Sequence, residues 1–187
     1  MKAIMISIKP EWVAKILNGE KTIEIRKTMP KCDLPIDVYI YCTKDKPYLA
    51  NATELFTGKY ACISNDEVSY KEHNLNGKVV AKFTLNKVEN VGRYNVFEYG
   101  TETITPDNFN FMTCLRDDQI REYLGNSKKL FAIHISKLEI FDDPKELSEF
   151  NHWTDKKIQW YSVGEKVKVM VSLTNAPQNY CYVEIGK

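Results

Sequence analysis

The chain has 187 residues, 43% of them hydrophobic, and its formal net charge is +1. This length favours a single domain over residues 1–187, and the hydrophobic share excludes a disordered chain. A protein that binds nucleic acid over most of its surface is strongly basic, so the near-neutral balance excludes that class. Residues 1–31 nevertheless hold seven lysines and arginines against three acidic residues. Any contact with RNA is therefore expected from a local basic patch near the N-terminus.

Cysteine and histidine usage predicts neither a disulfide nor a metal site. The five cysteines form no C-x-x-C pair, and the three histidines lack the spacing of metal ligands. The sequence also lacks a glycine-rich phosphate loop, so we predict no bound cofactor. The apolar run near the N-terminus is too short for a signal peptide, and none elsewhere is long enough to span a membrane. We therefore predict a cytoplasmic protein with reduced thiols and no membrane contact.

The first 27 residues predict a strand, a helix and a second strand. Residues 2–8 alternate weakly, and residues 11–18 then follow a helical period that ends at Gly19. The period changes to two over residues 22–26, which predicts a strand. Lys21 is expected in the exposed turn before that strand. Thr22, Glu24 and Arg26 are expected on one of its faces, opposite two isoleucines.

The remaining pattern favours strands over helices. Further strands are predicted at residues 36–43, 78–88, 130–141, 166–172 and 180–185. Helix starts are predicted at Thr105-Pro106-Asp107, at Thr113 and at Asp143-Pro144. Residues 44–77 are ambiguous, and residues 151–165 are interpreted as an insertion or a β-ribbon. Because each helix is followed by a turn signal, this order favours an antiparallel or mixed β-barrel over a doubly wound sheet.

The segment G-x-K-T-x-E-x-R, formed by Gly19, Lys21, Thr22, Glu24 and Arg26, resembles the ASCH domains of the PUA-like superfamily. A second similarity is the G-x-V-x-x-x-F strand at Gly77, Val79 and Phe83. The segments HISKLEIFDDPKELSEF and APQNYCYV also resemble the phage-associated branch of that family.

The resemblance implies an α+β fold: a PUA-like, partly open β-barrel of about six mostly antiparallel strands with flanking helices. It also implies insertions near residues 44–77 and 151–165 of a single domain. Members of the family are proposed to bind RNA, and some are similar to acetylcytidine amidohydrolases or ribonucleases.

The candidate site is the cleft beside the opening motif. Lys21 supplies a cation, and Arg26 can hold Glu24 ionised so that it accepts a hydrogen bond from a base. The resemblance adds Gln178 and Asn179, which it places near the mouth of the barrel, where they could contact the edge of a base. The candidate binding residues are Lys9, Lys21, Thr22, Glu24, Arg26, Gln178 and Tyr180. An ordinary solvated lysine and a surface ion pair remain the alternatives.

Three functions remain open from the sequence. The first is a binding module that recognises RNA, a nucleobase or a nucleotide. The second is an amidohydrolase or nuclease acting on a modified nucleoside or RNA, with Lys21 and Glu24 as candidate catalytic residues. The resembled amidohydrolases have a threonine where this chain has Glu24, which favours binding over hydrolysis. The third is a phage-borne protein-interaction domain. The oligomeric state stays open.

Overall fold

The computed structural model describes residues 2–51, 60–64, 74–92, 108–127, 129–160 and 163–185, with the backbone alone for residues 156–160 and 163–166. Within these ranges the chain forms three α-helices, twelve strands and one 3-10 turn at Leu147–Glu149. The helices are α1 (Pro10–Leu17), α2 (Phe109–Thr113) and α3 (Asp117–Leu124). The strands are β1 (Ala3–Ile8), β2 (Ile23–Arg26), β3 (Ile36–Cys42), β4 (Tyr48–Asn51), β5 (Tyr60–Ile63), β6 (Val79–Leu85), β7 (Val88–Gly92), β8 (Lys129–His134), β9 (Ser136–Lys145), β10 (Phe150–Trp160), β11 (Val163–Ser172) and β12 (Tyr180–Ile185).

The central strands β1, β3 and β6 of a large open sheet are buried on both faces. The strand order of this sheet is β11-β10-β12-β1-β3-β6-β9, in which only β1 and β3 pair in parallel. The predicted alternation in β3 is confirmed: Val38 and Ile40 belong to the cluster that includes α1, whereas Tyr39 and Tyr41 pack on the other face. Two smaller sheets, β2-β8-β7 and β4-β5, complete the described architecture.

The α+β fold is confirmed, but a barrel of about six strands is wrong. The sheets stay open, and the described residues alone contain twelve strands. The predicted strand at 130–141 is interrupted at Ile135, which separates β8 from β9, and the strand at 78–88 ends at Leu85 before β7 begins. Each break moves the chain from one sheet to another, because β6 and β9 pair in the large sheet while β7 and β8 pair in a small one.

None of the three predicted helix starts is found as predicted: two are wrong, and the third lies outside the described residues. Asp143-Pro144 starts no α-helix, because β9 keeps its pairing with β6 as far as Lys145. Thr113 is the last residue of α2 and not a cap, and Arg116 occupies the N-cap of α3. The predicted start at Thr105-Pro106-Asp107 lies outside the described residues. Main-chain pairing to a neighbouring strand therefore overrode the local helix signal at Asp143.

The β-ribbon interpretation of residues 151–165 is confirmed, and the ribbon is longer than predicted. Strands β10 and β11 pair from Asn151↔Ser172 to Trp160↔Val163. Only Phe150 and Asn151 of β10 also pair with β12, so among the described strands most of this ribbon has no third strand beside it. The ambiguous stretch 44–77 contributes β4 and β5, and the rest of its middle part lies outside the described residues.

All five cysteines are free thiols. In the part of the chain that the structure describes, no three His, Cys, Asp or Glu side chains are grouped so that they could hold a metal ion. None of the described helices has the length and apolar character needed to cross a membrane.

Candidate functional site

The end of α1 determines where Lys21 points. Gly19 adopts φ 74°, a left-handed conformation that glycine accepts without a steric penalty. The backbone N–H groups of Glu20 and Lys21 both donate to the carbonyl of Lys15, and the N–H of Thr22 donates to the carbonyl of Met112. These bonds hold the turn against α2 and direct the Lys21 side chain into the protein.

Lys21 is buried, which corrects the expectation of an exposed turn lysine. Only 2% of its surface is accessible. Its Nζ donates to the carbonyl oxygen of Thr113 at 2.7 Å, lies 3.4 Å from Oε2 of Glu24 and sits 5.5 Å from the centre of the Trp12 ring. A buried ammonium group is costly unless it is paired and hydrogen-bonded, and these three contacts offset that cost.

Burial also changes the acid–base behaviour of Lys21. Removal from water lowers the pKa of the Lys21 ammonium below its usual 10.5, and the Glu24 carboxylate opposes this effect by raising it. A lysine whose pKa is lowered in a cleft is a common feature of functional sites, although structural ion pairs perturb lysines in the same way.

Glu24 lies between the two cations of the motif. Besides the contact with Lys21, its Oε1 lies 3.0 Å from Nε of Arg26, as expected for residues i and i+2 on one strand face. The Arg26 Nε–H does not point at this oxygen, so Nε is buried without a hydrogen-bond partner among the residues that the structure describes. The charges therefore form an ion pair while part of the hydrogen-bonding capacity of Glu24 remains unused.

Arg26 connects three segments of the chain at the mouth of the site. Its Nη2 donates to the carbonyl of Ser7 at 2.7 Å, and its Nη1 donates to Oδ1 of Asn179 at 3.0 Å. The amide of Asn179 in turn donates to Oγ1 of Thr28. The planar guanidinium can make these contacts at once, which the single ammonium group of a lysine cannot.

A cleft of about 860 Å³ opens beside the triad of Lys21, Glu24 and Arg26. That volume lies within the usual range for small-molecule and nucleotide sites. Among the residues that the structure describes, its lining carries four cationic and four acidic side chains, so their formal charges cancel. The cations are Lys9, Lys21, Arg26 and Lys27; the acids are Glu11, Glu24, Asp45 and Glu122.

Most of the predicted site residues meet in this cleft. Lys9, Lys21, Glu24, Arg26 and Gln178 all line it. Lys9 is exposed at the N-cap of α1, and Gln178 is exposed in the loop before β12.

Two of the predicted binding residues lie outside the lining. Thr22 is exposed on the surface. Tyr180 is half-buried against the core, where its hydroxyl lies 3.5 Å from the carbonyl of Met29. Their participation in binding stays a prediction.

Other residues of the cleft were not predicted. Trp12 falls within the helical period of residues 11–18 and was not a candidate site residue, yet its ring lines the cleft, 5.5 Å from the Nζ of Lys21. Tyr123 of α3 also lines the cleft, and the Lys27 Nζ sits 5.2 Å from the centre of its ring. Thr113 anchors Lys21 from 92 residues away. No sequence pattern connects residues as far apart as Lys21 and Thr113. The position of Trp12 in the first turn of α1, beside Pro10, could have indicated that its ring lies at the end of the helix that borders the cleft.

Comparisons with known proteins agree with this fold. The family model of the ASCH domain matches residues 6–139. The chain therefore belongs to the ASCH domain family, whose members are generally thought to bind RNA. The match covers little of the segments that resemble the phage-associated branch, so that assignment stays a prediction. A search of curated proteins gave no match.

Solved structures of an ASCH protein from Zymomonas mobilis are similar in fold. One crystal structure has 17% sequence identity and a TM-score of 0.50, with 78% of this chain and 73% of that chain covered. A variant of the same protein gives 17% identity and a TM-score of 0.51, with coverage of 79% and 77%. Identity at this level supports the shared fold and carries no residue roles.

Proposed function

We propose that the cleft beside Lys21, Glu24 and Arg26 binds single-stranded RNA by accepting one nucleoside unit. The observation that carries the proposal is the buried Lys21–Glu24 pair, which places a hydrogen-bond donor 3.4 Å from an acceptor at the base of the cleft. Nucleobase edges present donors and acceptors side by side, so such a pair is complementary to the edge of a base.

The charge of the cleft supports a base more than a phosphate as its occupant. Four cations are balanced by four acidic groups in the lining. Sites that hold phosphates are usually strongly positive. The N-terminus of α1 borders the cleft, but its first turn carries the acidic Glu11, which also lines the cleft. Trp12 supplies a broad aromatic surface in the same lining, and stacking on aromatic rings is the usual way in which proteins hold an unpaired base.

A comparison of Lys21→Met with Lys15→Met tests this function. Lys15 lies on α1, pairs with Glu20 at 3.7 Å and does not line the cleft. With a labelled single-stranded RNA of about 12 nucleotides, a length within the usual range of such sites, we expect Lys21→Met to bind at least about ten-fold more weakly, the loss of about one charged hydrogen bond. Lys15→Met should change the affinity less than about two-fold. Parental affinity of a folded Lys21→Met protein contradicts the proposal.

A second candidate is hydrolysis of a modified nucleoside or of RNA. The observation that favours it is the lowered pKa of the buried Lys21 beside a carboxylate, since acid–base groups with shifted pKa values are typical of active sites. Against it stands the carboxylate at position 24, where the resembled amidohydrolases have a hydroxyl group. Incubation with N4-acetylcytidine and with RNA, followed by chromatography, decides between binding and hydrolysis. Turnover of about 1 s⁻¹, ordinary for an enzyme, establishes the enzyme.

A further inference from the structure

We propose that one face of the β10–β11 ribbon binds the phosphate backbone of the RNA whose base occupies the cleft. The inference rests on the proposed function and deepens it. A neutral cleft supplies little of the phosphate contact on which the affinity for nucleic acid depends. A second, basic surface is therefore needed, and the ribbon supplies one.

The sequence of the ribbon is basic, and the register of its two strands shows which lysine positions share a face. Residues 150–172 contain four lysines, at positions 156, 157, 166 and 168, against Asp155 and Glu165. The pairs Trp153↔Met170, Asp155↔Lys168 and Lys157↔Lys166 follow one another along the ribbon. Because strand positions alternate between faces, these three pairs share one face, here called the Trp153 face. Lys156 falls on the opposite face.

The Trp153 face is open to solvent where its side chains are described. Trp153 is 57% exposed and Met170 is 41% exposed. Lys168 is exposed as well and forms no ion pair with any side chain described in the structure. An exposed tryptophan followed by lysines combines a surface for base stacking with cations for phosphates, as in proteins that bind single strands.

The Trp153 face lies on the same side of the large sheet as the cleft. Asn151, which shares this face, pairs with Glu184, and β12 continues to Tyr182 and Tyr180, which pair with Ile4 and Ile6 of β1. Ile4 and Ile6 pack in the cluster that includes α1, and residues of α1 line the cleft. The positions of the Trp153 face, with the exposed Lys168 among them, therefore lie on the side of the sheet on which the proposed base site lies.

The direction of the strands carries the ribbon towards the end of the large sheet at which the cleft lies. Strands β1 and β10 are both antiparallel to β12, so they run in the same direction. Ser7, near the end of β1, lines the cleft. Among the described residues β10 pairs with β12 only at Phe150 and Asn151, and beyond them it continues in the direction in which β1 runs to Ser7. An RNA strand that leaves the cleft across β12 thus runs towards the side from which the ribbon extends.

Two more lysines lie beside β12. The Lys2 Nζ sits 4.6 Å from the centre of the Tyr182 ring, and the hydroxyl of Tyr182 donates to the carbonyl of Lys31 at 2.5 Å. Both lysines are exposed. Tyr182 belongs to β12, between β1 and the ribbon, two residues before Glu184, which pairs with Asn151. Lys2 and Lys31 therefore add positive charge near the start of β10.

RNA fits this face better than a protein partner. Lysine is depleted in protein–protein interfaces relative to other surfaces, whereas it is the main source of phosphate contacts. Lys157 and Lys166 are partners in the backbone register, and like charges at directly opposed positions of two strands are destabilising.

The main test compares lysines on the two faces. The parent protein, Lys156→Gln, Lys157→Gln and the triple variant Lys157→Gln/Lys166→Gln/Lys168→Gln are titrated with a labelled single-stranded RNA of about 12 nucleotides over a range of salt. For single strands each phosphate contact contributes about 0.7 to the slope of log affinity against log salt. We expect the triple variant to lose up to about 2 units of slope, Lys157→Gln about 0.7 and Lys156→Gln none.

Trp153 provides an independent test of stacking. Trp153→Ala should weaken binding of the same RNA about five-fold or more, and Trp153→Phe should restore most of it, because a phenyl ring still stacks on a base. Parental affinity of Trp153→Ala overturns the role of this residue. An equal loss in both variants also overturns it, because loss of the hydrogen bond from Trp153 Nε1 to Glu184 at 3.3 Å then explains the effect.

Nucleoside monophosphates separate this inference from the proposed function. Ribbon variants should bind them as the parent does, whereas Lys21→Met should not. If the ribbon variants lose RNA affinity and Lys21→Met does not, the ribbon inference stands and the cleft proposal fails. If the triple variant keeps the parental slope, the ribbon inference fails. It also fails if that variant binds RNA normally but self-associates in sedimentation, because its lysines then only protect the exposed edge strand β11.

Discussion

The cleft and the ribbon use the same residue types in opposite ways. In the cleft, Lys21 has 2% of its surface accessible and is held by Thr113, Glu24 and Trp12. On the ribbon, Lys168 is exposed and shares a face with Trp153, which is 57% exposed. A buried lysine has a fixed position and a perturbed pKa, which suits the recognition of one ligand with a defined shape. Exposed lysines move freely and act through charge, which suits affinity for any phosphate backbone.

The two regions also differ in what their charges contribute to stability. Lys21, Glu24 and Arg26 lost most of their hydration on folding, so the loss of one partner leaves another buried and unpaired. Exposed charges keep their water in either state and contribute little. Substitutions should therefore separate the two regions by their effect on the free energy of unfolding.

The largest effect is expected for Glu24→Gln. This substitution leaves Lys21 and Arg26 without their carboxylate, and breaking a buried ion pair costs about 3–5 kcal/mol. Urea denaturation measures the loss. The control is Glu139→Gln, which breaks the exposed pair of Lys82 and Glu139 at 3.1 Å and should cost about 0–1 kcal/mol.

A double-mutant cycle of Glu24→Gln with Lys21→Met measures how much of this loss comes from the unpaired Lys21. In the background of Glu24→Gln, Lys21→Met removes the buried charge and should recover part of the lost stability. Equal effects of Glu24→Gln and Glu139→Gln would show that the triad is hydrated in solution.

Arg26→Lys should have the next largest effect. A lysine keeps the positive charge near Glu24 but cannot reproduce the bonds to Ser7 and Asn179. Loss of charge-assisted hydrogen bonds costs about 1.5–3 kcal/mol. Thermal and urea unfolding measure the change, with Lys27→Arg at an exposed neighbouring position as the control. A stability equal to that of the parent contradicts the role of Arg26 as the connection between β1, β2 and the loop before β12.

The pH dependence of stability should show the burial of Lys21. Because the pKa of Lys21 is lowered in the folded state from 10.5, the unfolded state binds more protons at pH values between the two. The free energy of unfolding then rises with pH in that window, and the gain is complete above the unfolded value of 10.5. The parent should therefore gain stability relative to Lys21→Met as pH approaches 10.5. A constant difference between these two proteins across the alkaline range contradicts the lowered pKa.

The smallest effects on stability are expected on the ribbon. Trp153→Phe, Lys157→Gln and Lys168→Gln should each change the free energy of unfolding by no more than about 0.5 kcal/mol, as is usual for surface substitutions. Urea denaturation beside Glu24→Gln measures the contrast directly. A loss of several kcal/mol at Lys168 would show that the Trp153 face is covered.

Local patterns were sufficient for several parts of the molecule. The helical period with Gly19 at its end predicted α1, and the alternation of residues 36–43 predicted β3, because both signals depend only on neighbouring residues. The same locality placed Glu24 and Arg26 on one strand face, where the structure has them 3.0 Å apart. The resemblance carried by that motif identified the family that the family model then matched.

Only the tertiary structure decided how buried the motif is and where the sheets divide. Lys21 is buried because Thr113, 92 residues further along, brings a carbonyl to its ammonium, and no local pattern contains that distance. The strand breaks near Leu85 and Ile135 arise because β6 and β9 pair in the large sheet while β7 and β8 pair in a small one. The local pattern does not contain this pairing, so the sequence predicted long strands and a barrel instead of open sheets. Periodicity records which face of an element is apolar, whereas pairing and burial depend on what the rest of the chain places against that face.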